Sequence, residues 1–265
     1  MTYFTPEALL AFALCAGAAF ATVIGSAVMI GAHHSNPRLL AFGLAFAGGA
    51  MVYISLVEIF GKSFLGFTAL YADNPAYTYA TLSFFAGVLL VAAIDRLVPN
   101  PHATLSMAEG AAPSPHVLKR LGIMAALAIT AHNVPEGMAT FFAALDDPAV
   151  GAPLAIAIAI HNIPEGISIA IPVYYATHSK KAAILATAGS ALAEPVGALL
   201  GYLILGPFLS SLVYAVTFGM IAGVMVYLAL DELLPTAKRY ASGHETTYGM
   251  ILGMAAIALS LVLLR

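Results

Sequence analysis

The sequence HNVPEG at residues 132–137 lies inside a long apolar stretch, and it returns with one change as HNIPEG at residues 161–166. Each copy places a histidine, an asparagine and a glutamate in sequence that is otherwise apolar enough to lie in lipid. Ionisable groups at membrane depth are costly and need a partner, such as a metal ion, a proton path or a counter-charge. Two copies of one costly pattern therefore predict one shared site within a membrane.

The composition is that of an integral membrane protein. Of the 265 residues, 61% are hydrophobic and 9% are charged, whereas soluble proteins contain about 25% charged residues. The mean hydropathy of +0.94 excludes a soluble fold, and no nucleic-acid partner is expected. The single cysteine, Cys15, cannot form an intrachain disulfide, and thiolate metal sites of the CxxC kind are absent.

Eight apolar stretches are long enough to cross a bilayer, which takes about 20 helical residues. They are residues 7–31, 39–60, 77–98, 118–144, 151–175, 181–205, 208–230 and 247–264. The connections are short and carry turn residues such as Asp146-Asp147-Pro148. Only the loop 99–115 is longer than a dozen residues. The predicted fold is an all-α membrane protein with eight transmembrane helices in a single polytopic domain, residues 1–265.

The basic residues predict the orientation in the membrane. Eight of the ten fall on one side of the predicted spans, and Lys62 and Arg265 fall on the other. Because Lys and Arg are enriched in cytoplasmic loops, both termini are predicted to lie outside the cytoplasm.

The repeats predict an inverted internal symmetry. Residues 132–137 and 161–166 lie in the fourth and fifth spans, which run in opposite directions. A weaker echo links GAMVYISLVE at 49–58, in the second span, with GVMVYLALDE at 223–232, in the seventh. Chance similarity of two apolar helices remains an alternative for this second echo. Inverted repeats are common in transporters that alternate access around a midplane site.

The spacing within each motif brings its polar groups together. His132 and Glu136 are four residues apart and share a helix face, as do His161 and Glu165. At 1.5 Å per residue, both motifs lie roughly 15–18 Å into their spans. The two are therefore expected to meet near the middle of the bilayer.

A third acid, Glu194 in the sixth span, is predicted at a similar depth. No Lys or Arg lies close in sequence to Glu136, Glu165 or Glu194, so one or two divalent cations are the expected counter-charge. A nitrogen and oxygen donor set without sulfur suits Zn²⁺, Fe²⁺ or Mn²⁺.

At these residues the sequence resembles the ZIP (Zrt/Irt-like) metal-ion transporters, and among them the bacterial ZupT-type zinc transporters. The resemblance covers essentially the whole chain, including AEPVG at 193–197 and DELLP at 231–235. It implies a central bundle formed by spans two, four, five and seven. It also implies a binuclear centre in which Glu136 and Glu165 bridge two metal positions. His132 and His161 would complete one position, and Asn133, Asn162 and Glu194 the other.

The resemblance further implies what the protein does. It implies zinc uptake into the cytoplasm across the bacterial inner membrane, with Fe²⁺, Mn²⁺, Co²⁺ or Cd²⁺ as alternative ions. No organic cofactor and no enzymatic activity are expected, and the partners are the transported cations and the lipid bilayer. Both a monomer and a homodimer are compatible with the sequence.

Further acids and histidines lie near the ends of the spans. Glu58, at the predicted outer end of span two, is expected to attract the cation, and Asp231 and Glu232, at the inner end of span seven, to release it. Ordinary interfacial acids are the alternative. Four histidines are predicted to be solvated loop residues: His33, His34, His102 and His116.

Two other functions fit part of the pattern. An intramembrane metalloprotease would show His-Glu-x-x-His, whereas each motif here has the order His-Asn-x-Pro-Glu and no second histidine. A proton-coupled transporter of organic solutes would place aromatic residues or arginine around its substrate, and neither lies close to the motifs in sequence.

Overall fold

The part of the chain that the structure describes folds into eight long helices. The computed structural model describes residues 5–31, 37–97 and 115–264, and no strand occurs in these ranges. The helices are α1 (Pro6–Gly31), α2 (Pro37–Ile54, a π-helical turn Ser55–Ile59, then Phe60–Thr68), α3 (Asp73–Leu97), α4 (Pro115–Asp146), α5 (Pro148–Thr177), α6 (Lys180–Ala191 and Ala193–Leu205), α7 (Ser211–Leu228, a π-helical turn Ala229–Leu233, then Leu234–Tyr240) and α8 (Glu245–Leu264). Each predicted span corresponds to one of them.

Seven of these helices, all except α4, are long and apolar enough to cross a membrane by the residues described. Helix α4 carries the first motif, and the side chains of its first half, including His116, lie outside the described residues. The other three predicted loop histidines, at 33, 34 and 102, also lie outside them. Together the eight helices confirm the predicted all-α membrane fold.

Two helices extend well beyond the predicted spans, because an apolar stretch marks the part in lipid and not the end of the helix. Helix α2 continues to Thr68 and α7 to Tyr240. Glu58 is therefore not at a helix end but inside α2, where it is 7% exposed. Lys62, which lies just beyond the predicted second span, belongs to the same helix.

The helices pack in two groups that meet at a central bundle. Helices α1, α4, α5 and α6 pack together, as do α2, α3, α7 and α8. Between the groups, α2 contacts α5 and α4 contacts α7. Since α4 also packs on α5, and α2 on α7, these four form the central bundle that the sequence resemblance implied.

The inverted repeat is visible in the packing of the second group. A methyl group added at Gly49 of α2 would overlap the backbone of Met250 of α8, and one added at Gly223 of α7 would overlap the backbone of Phe84 of α3. Gly49 and Gly223 begin the two echoing sequences. Each echo also ends in a π-helical turn that contains an acid, Glu58 in one and Glu232 in the other. The second echo therefore reflects structural symmetry and not chance.

A tight corner fixes the antiparallel arrangement of the two motif helices. Helix α4 ends at Asp146 and α5 begins at Pro148. The Asp147 side chain between them accepts a hydrogen bond from the Ala149 N–H at 2.9 Å and so caps α5. Both motifs lie between about three and five helical turns from this corner, which allows their side chains to meet.

Candidate metal centre

The two motifs meet through a direct contact between α4 and α5. His161 Nε2 lies 3.1 Å from Glu136 Oε1, and neither side chain is exposed. The two motifs therefore meet in the buried interior of the described chain, whereas their depth in the bilayer stays a prediction. The pair joins an imidazole of the second copy to a carboxylate of the first, so neither copy forms the centre alone.

A third side chain completes a compact cluster with this pair. One donor atom each from Glu136, His161 and Glu165 lie within 4.8 Å of one another, and all three residues are buried. Ligands bound to one zinc ion at about 2.0–2.2 Å lie at most slightly more than 4 Å apart. Small side-chain rotations would therefore let these three groups bind a single ion.

The asparagines of the two motifs point toward the flanking helices α1 and α6. Asn162 Nδ2 donates to Glu194 Oε1 at 2.7 Å and to the Ala18 carbonyl at 3.0 Å. Asn133 Nδ2 donates to the carbonyl of Ser190 at 3.0 Å. Glu194, which is fully buried, is thus placed beside the second motif by α6. Both asparagines are thus bonded to α6, Asn133 through Ser190 and Asn162 through Glu194.

Many polar atoms of the centre have no hydrogen-bond partner among the described residues. They are Asn133 Oδ1, Glu136 Oε2, His161 Nδ1, Asn162 Oδ1, Glu165 Oε1 and Glu194 Oε2. Leaving a buried polar group unsatisfied costs about 1–3 kcal/mol, and more for a charged group. Within the described part of the chain, no Lys or Arg forms an ion pair with the three carboxylates. This donor set is suited to one or two divalent cations.

The remaining predicted residues lie in the interior or toward the helix ends. His132 is 1% exposed, but it lies outside the cluster of Glu136, His161 and Glu165. Asp231 and Glu232 are half-buried in the π-helical turn of α7. Their carboxylates lie within 4.8 Å of that of Asp95 on α3, which sequence reasoning missed.

The contributions of α1 and Ser190 were also missed. The backbone carbonyls of Ala18 on α1 and Ser190 on α6 accept hydrogen bonds from the two asparagines. Every residue has such a carbonyl, so the residue type alone does not reveal which one is used. A signal did exist. Ser190, Glu194 and Gly197 on α6 have the same spacing as Ala18, Thr22 and Gly25 on α1.

Fold and site together define a polytopic membrane protein with a buried, cation-compatible centre between antiparallel helices. Residues 98–261 match the family model described as ZIP zinc transporter. The chain is 55% identical over 258 residues to a protein named zinc transporter ZupT from Stenotrophomonas maltophilia strain K279a, which covers 97% of this chain and 96% of that protein.

Two further relatives carry the same name. The one from Neisseria meningitidis serogroup C is 59% identical over 258 residues, or 96% of this chain and 95% of the relative. The one from Nitratidesulfovibrio vulgaris is 45% identical over 268 residues, or 96% and 97%. The chain therefore belongs to the ZIP zinc transporter family.

Proposed function

We propose that this protein carries Zn²⁺ across the bacterial inner membrane into the cytoplasm through the buried centre between α4 and α5. The observation that carries the proposal is that Glu136, His161 and Glu165, from two antiparallel helices, converge in the interior. The relatives named zinc transporter support zinc as the transported ion. Fe²⁺, Mn²⁺, Co²⁺ and Cd²⁺ are the other ions that the donor set suits.

The proposed ligand set has two metal positions. Glu136 and Glu165 bridge them, one from each motif. His132 and His161 complete the first position, and Asn133, Asn162 and Glu194 complete the second. The contact between His161 and Glu136 supports the first position, and the bond from Asn162 to Glu194 supports the second. All seven residues come from one chain, so the centre does not require a second copy.

The proposed orientation places the corner between α4 and α5 outside the cytoplasm, together with both termini. The distribution of Lys and Arg supports it. Membership of a transporter family favours transport over the rival metalloenzyme, and the order of residues in the motifs differs from that of a zincin. The partners are then the cations themselves and the surrounding lipid.

Zinc flux into sealed vesicles tests the proposal. Purified protein in liposomes that contain a zinc-sensitive dye is expected to admit external Zn²⁺ faster than protein-free liposomes. Cd²⁺ and Co²⁺ are expected to compete, whereas Mg²⁺ and Ca²⁺, which prefer sites made only of oxygen ligands, are not. Equal signals with and without protein would contradict the proposal.

A cavity of about 340 Å³ lies near the same outer end of the bundle, and its walls include Lys62, Asp146, Tyr214 and Phe218. The Lys62 ammonium sits 5.5 Å from the centre of the Phe218 ring. Glu58 lies four residues before Lys62 on α2, about one helical turn further from the end of this helix at Thr68. This arrangement supports Glu58 as an acid of the access route.

Substituting Glu58→Gln is expected to raise the KM for zinc uptake several-fold with little change in the maximal rate. A route acid raises the local concentration of the cation but does not bind it in the centre. The matched control is Glu7→Gln, an exposed acid at the start of α1 on the same side. A KM equal to that of the Glu7→Gln protein would remove Glu58 from the route.

A further inference from the structure

The crossing of α1 with α5 repeats the crossing of α6 with α4. A methyl group added at Gly166 of α5 would overlap the carbonyl of Thr22 on α1. One added at Gly137 of α4 would overlap the carbonyl of Glu194 on α6. Because Gly166 and Gly137 occupy the same place in the two motifs, Thr22 on α1 and Glu194 on α6 occupy corresponding places beside the centre.

Two more pairs show the same correspondence. The backbone of Ile163, in the second motif, lies against Gly25 of α1, and the backbone of Val134, in the first, lies against Gly197 of α6. The asparagines agree with this, since Asn162 donates to a carbonyl one turn before Thr22 and Asn133 to a carbonyl one turn before Glu194. The inverted repeat therefore relates α1 to α6 residue by residue around the centre.

The Thr22 hydroxyl is buried and has no hydrogen-bond partner among the described residues. Hydroxyl groups on helices usually donate to the carbonyl three or four residues earlier. Many in this structure do so: Ser26, Thr68, Thr78, Ser83, Thr140, Ser168, Thr177, Thr187 and Ser260. Thr22 differs from all of these.

The reason lies in the carbonyl of Ala18, four residues before Thr22. As in any α-helix, this oxygen accepts the N–H of the residue four positions later, and it also accepts Asn162 Nδ2 at 3.0 Å. Both of its lone pairs are thus engaged. The Thr22 hydroxyl thus loses one of its two usual acceptors to an asparagine of the centre. It does not donate to the other, the Ala19 carbonyl, and is left available to another group.

We propose that the Thr22 hydroxyl is a further ligand of the second metal position, completing from α1 the set formed by Asn133, Asn162 and Glu194. It is the neutral counterpart of the Glu194 carboxylate. A hydroxyl oxygen can give one lone pair to a cation while donating its hydrogen. Glu194 accepts a hydrogen bond from Asn162, so the correspondence of α1 with α6 relates the Thr22 hydroxyl to Asn133, the equivalent asparagine of the first motif. Asn133 Oδ1 is also buried and without a partner in the described chain. The second position then receives a charged carboxylate from α6 and an uncharged hydroxyl from α1.

The proposal rests on the proposed zinc transport and is tested by zinc binding to the purified protein in detergent. Thr22→Val, which removes the oxygen at nearly constant shape, is expected to weaken binding at one of two positions about tenfold. Thr22→Ser keeps the oxygen and is expected to bind within about twofold of the natural protein. The matched control is Thr187→Val, since that buried hydroxyl donates to the Ala183 carbonyl of its own helix.

Thermal unfolding separates a ligand from a structural residue. Without zinc, Thr22→Val is expected to unfold at the same temperature as the natural protein or higher, because an unsatisfied buried hydroxyl has been removed. With zinc, its stabilisation by the ion is expected to be smaller. Unchanged zinc binding in Thr22→Val would overturn the inference, and so would equal losses in Thr22→Val and Thr22→Ser.

The proposed function can fail independently of this inference. If the natural protein binds no zinc, or if Glu165→Gln binds it equally well, the metal centre itself is wrong. If Glu165→Gln weakens binding while Thr22→Val does not, the centre stands and only the role of Thr22 is wrong.

Discussion

Replacing Glu165 with glutamine is expected to reduce zinc uptake into proteoliposomes by more than about 100-fold, since even residues that merely support metal ligands contribute 10–100-fold in affinity. The glutamine keeps the shape of the side chain but removes a charge that lies within 4.8 Å of the donor atoms of Glu136 and His161. A divalent cation in the centre would then lose one of its two proposed bridging carboxylates. The measurement is the initial rate of the internal dye signal at saturating zinc.

The same substitution is expected not to destabilise the zinc-free protein. Three buried carboxylates without a cation repel one another, and removing one relieves this repulsion. A melting temperature in detergent equal to or above that of the natural protein, together with lost flux, would identify Glu165 as a metal-binding group. The Glu7→Gln protein serves as the control for flux. Zinc uptake that survives in Glu165→Gln would show that the proposed centre is not the site through which zinc is carried.

Replacing Gly166 with alanine is expected to destabilise the protein by about 1–3 kcal/mol, the usual cost of inserting a methyl group into a packed contact. The added carbon would overlap the backbone carbonyl of Thr22, and a backbone atom cannot rotate away as a side chain can. Helices α1 and α5 would have to separate, which would also lengthen the bond from Asn162 to Ala18. The temperature of unfolding in detergent and the rate of zinc uptake are both expected to fall.

The control for this prediction is Gly17→Ala on α1. A methyl group at Gly17 meets no atom within 4 Å. Alanine is also favoured over glycine within a helix by about 0.5–1 kcal/mol, so this variant is expected to be as stable as the natural protein or slightly more so. If Gly166→Ala behaved like Gly17→Ala, the close crossing of α1 and α5 would not be essential to the fold.

The convergence of Glu136, His161 and Glu165 could be predicted from sequence because these polar residues are conspicuous in apolar surroundings. His161, Glu136 and Glu165 are the residues that the structure brings together, and their spacing already placed them at one depth on antiparallel helices. Glu194 was predictable for the same reason. The ends of the helices were harder to predict, because hydropathy marks only the apolar part of a helix. Helix α2, for example, continues beyond its apolar stretch through Lys62.

The residues that sequence reasoning missed can be recognised only from contacts between helices. The Ala18 and Ser190 carbonyls hold the asparagines, and any residue type could supply such an oxygen. Asp95 joins Asp231 and Glu232 only because α3 packs on α7. Thr22 resembles an ordinary helix residue until the Ala18 carbonyl is seen to be engaged elsewhere.

The sequence by itself determined the membrane class, the helices and which polar residues lie in apolar surroundings, because hydropathy and charge are local properties that each segment carries. Only the tertiary structure decided how α1 and α6 pack against the two motifs. It also decided that Glu58 is buried and that the Thr22 hydroxyl has no hydrogen-bond partner in the described chain. Those features depend on backbone contacts between distant segments. Glycines such as Gly137 and Gly166 permit these contacts, but their position in the sequence does not indicate which helix they contact.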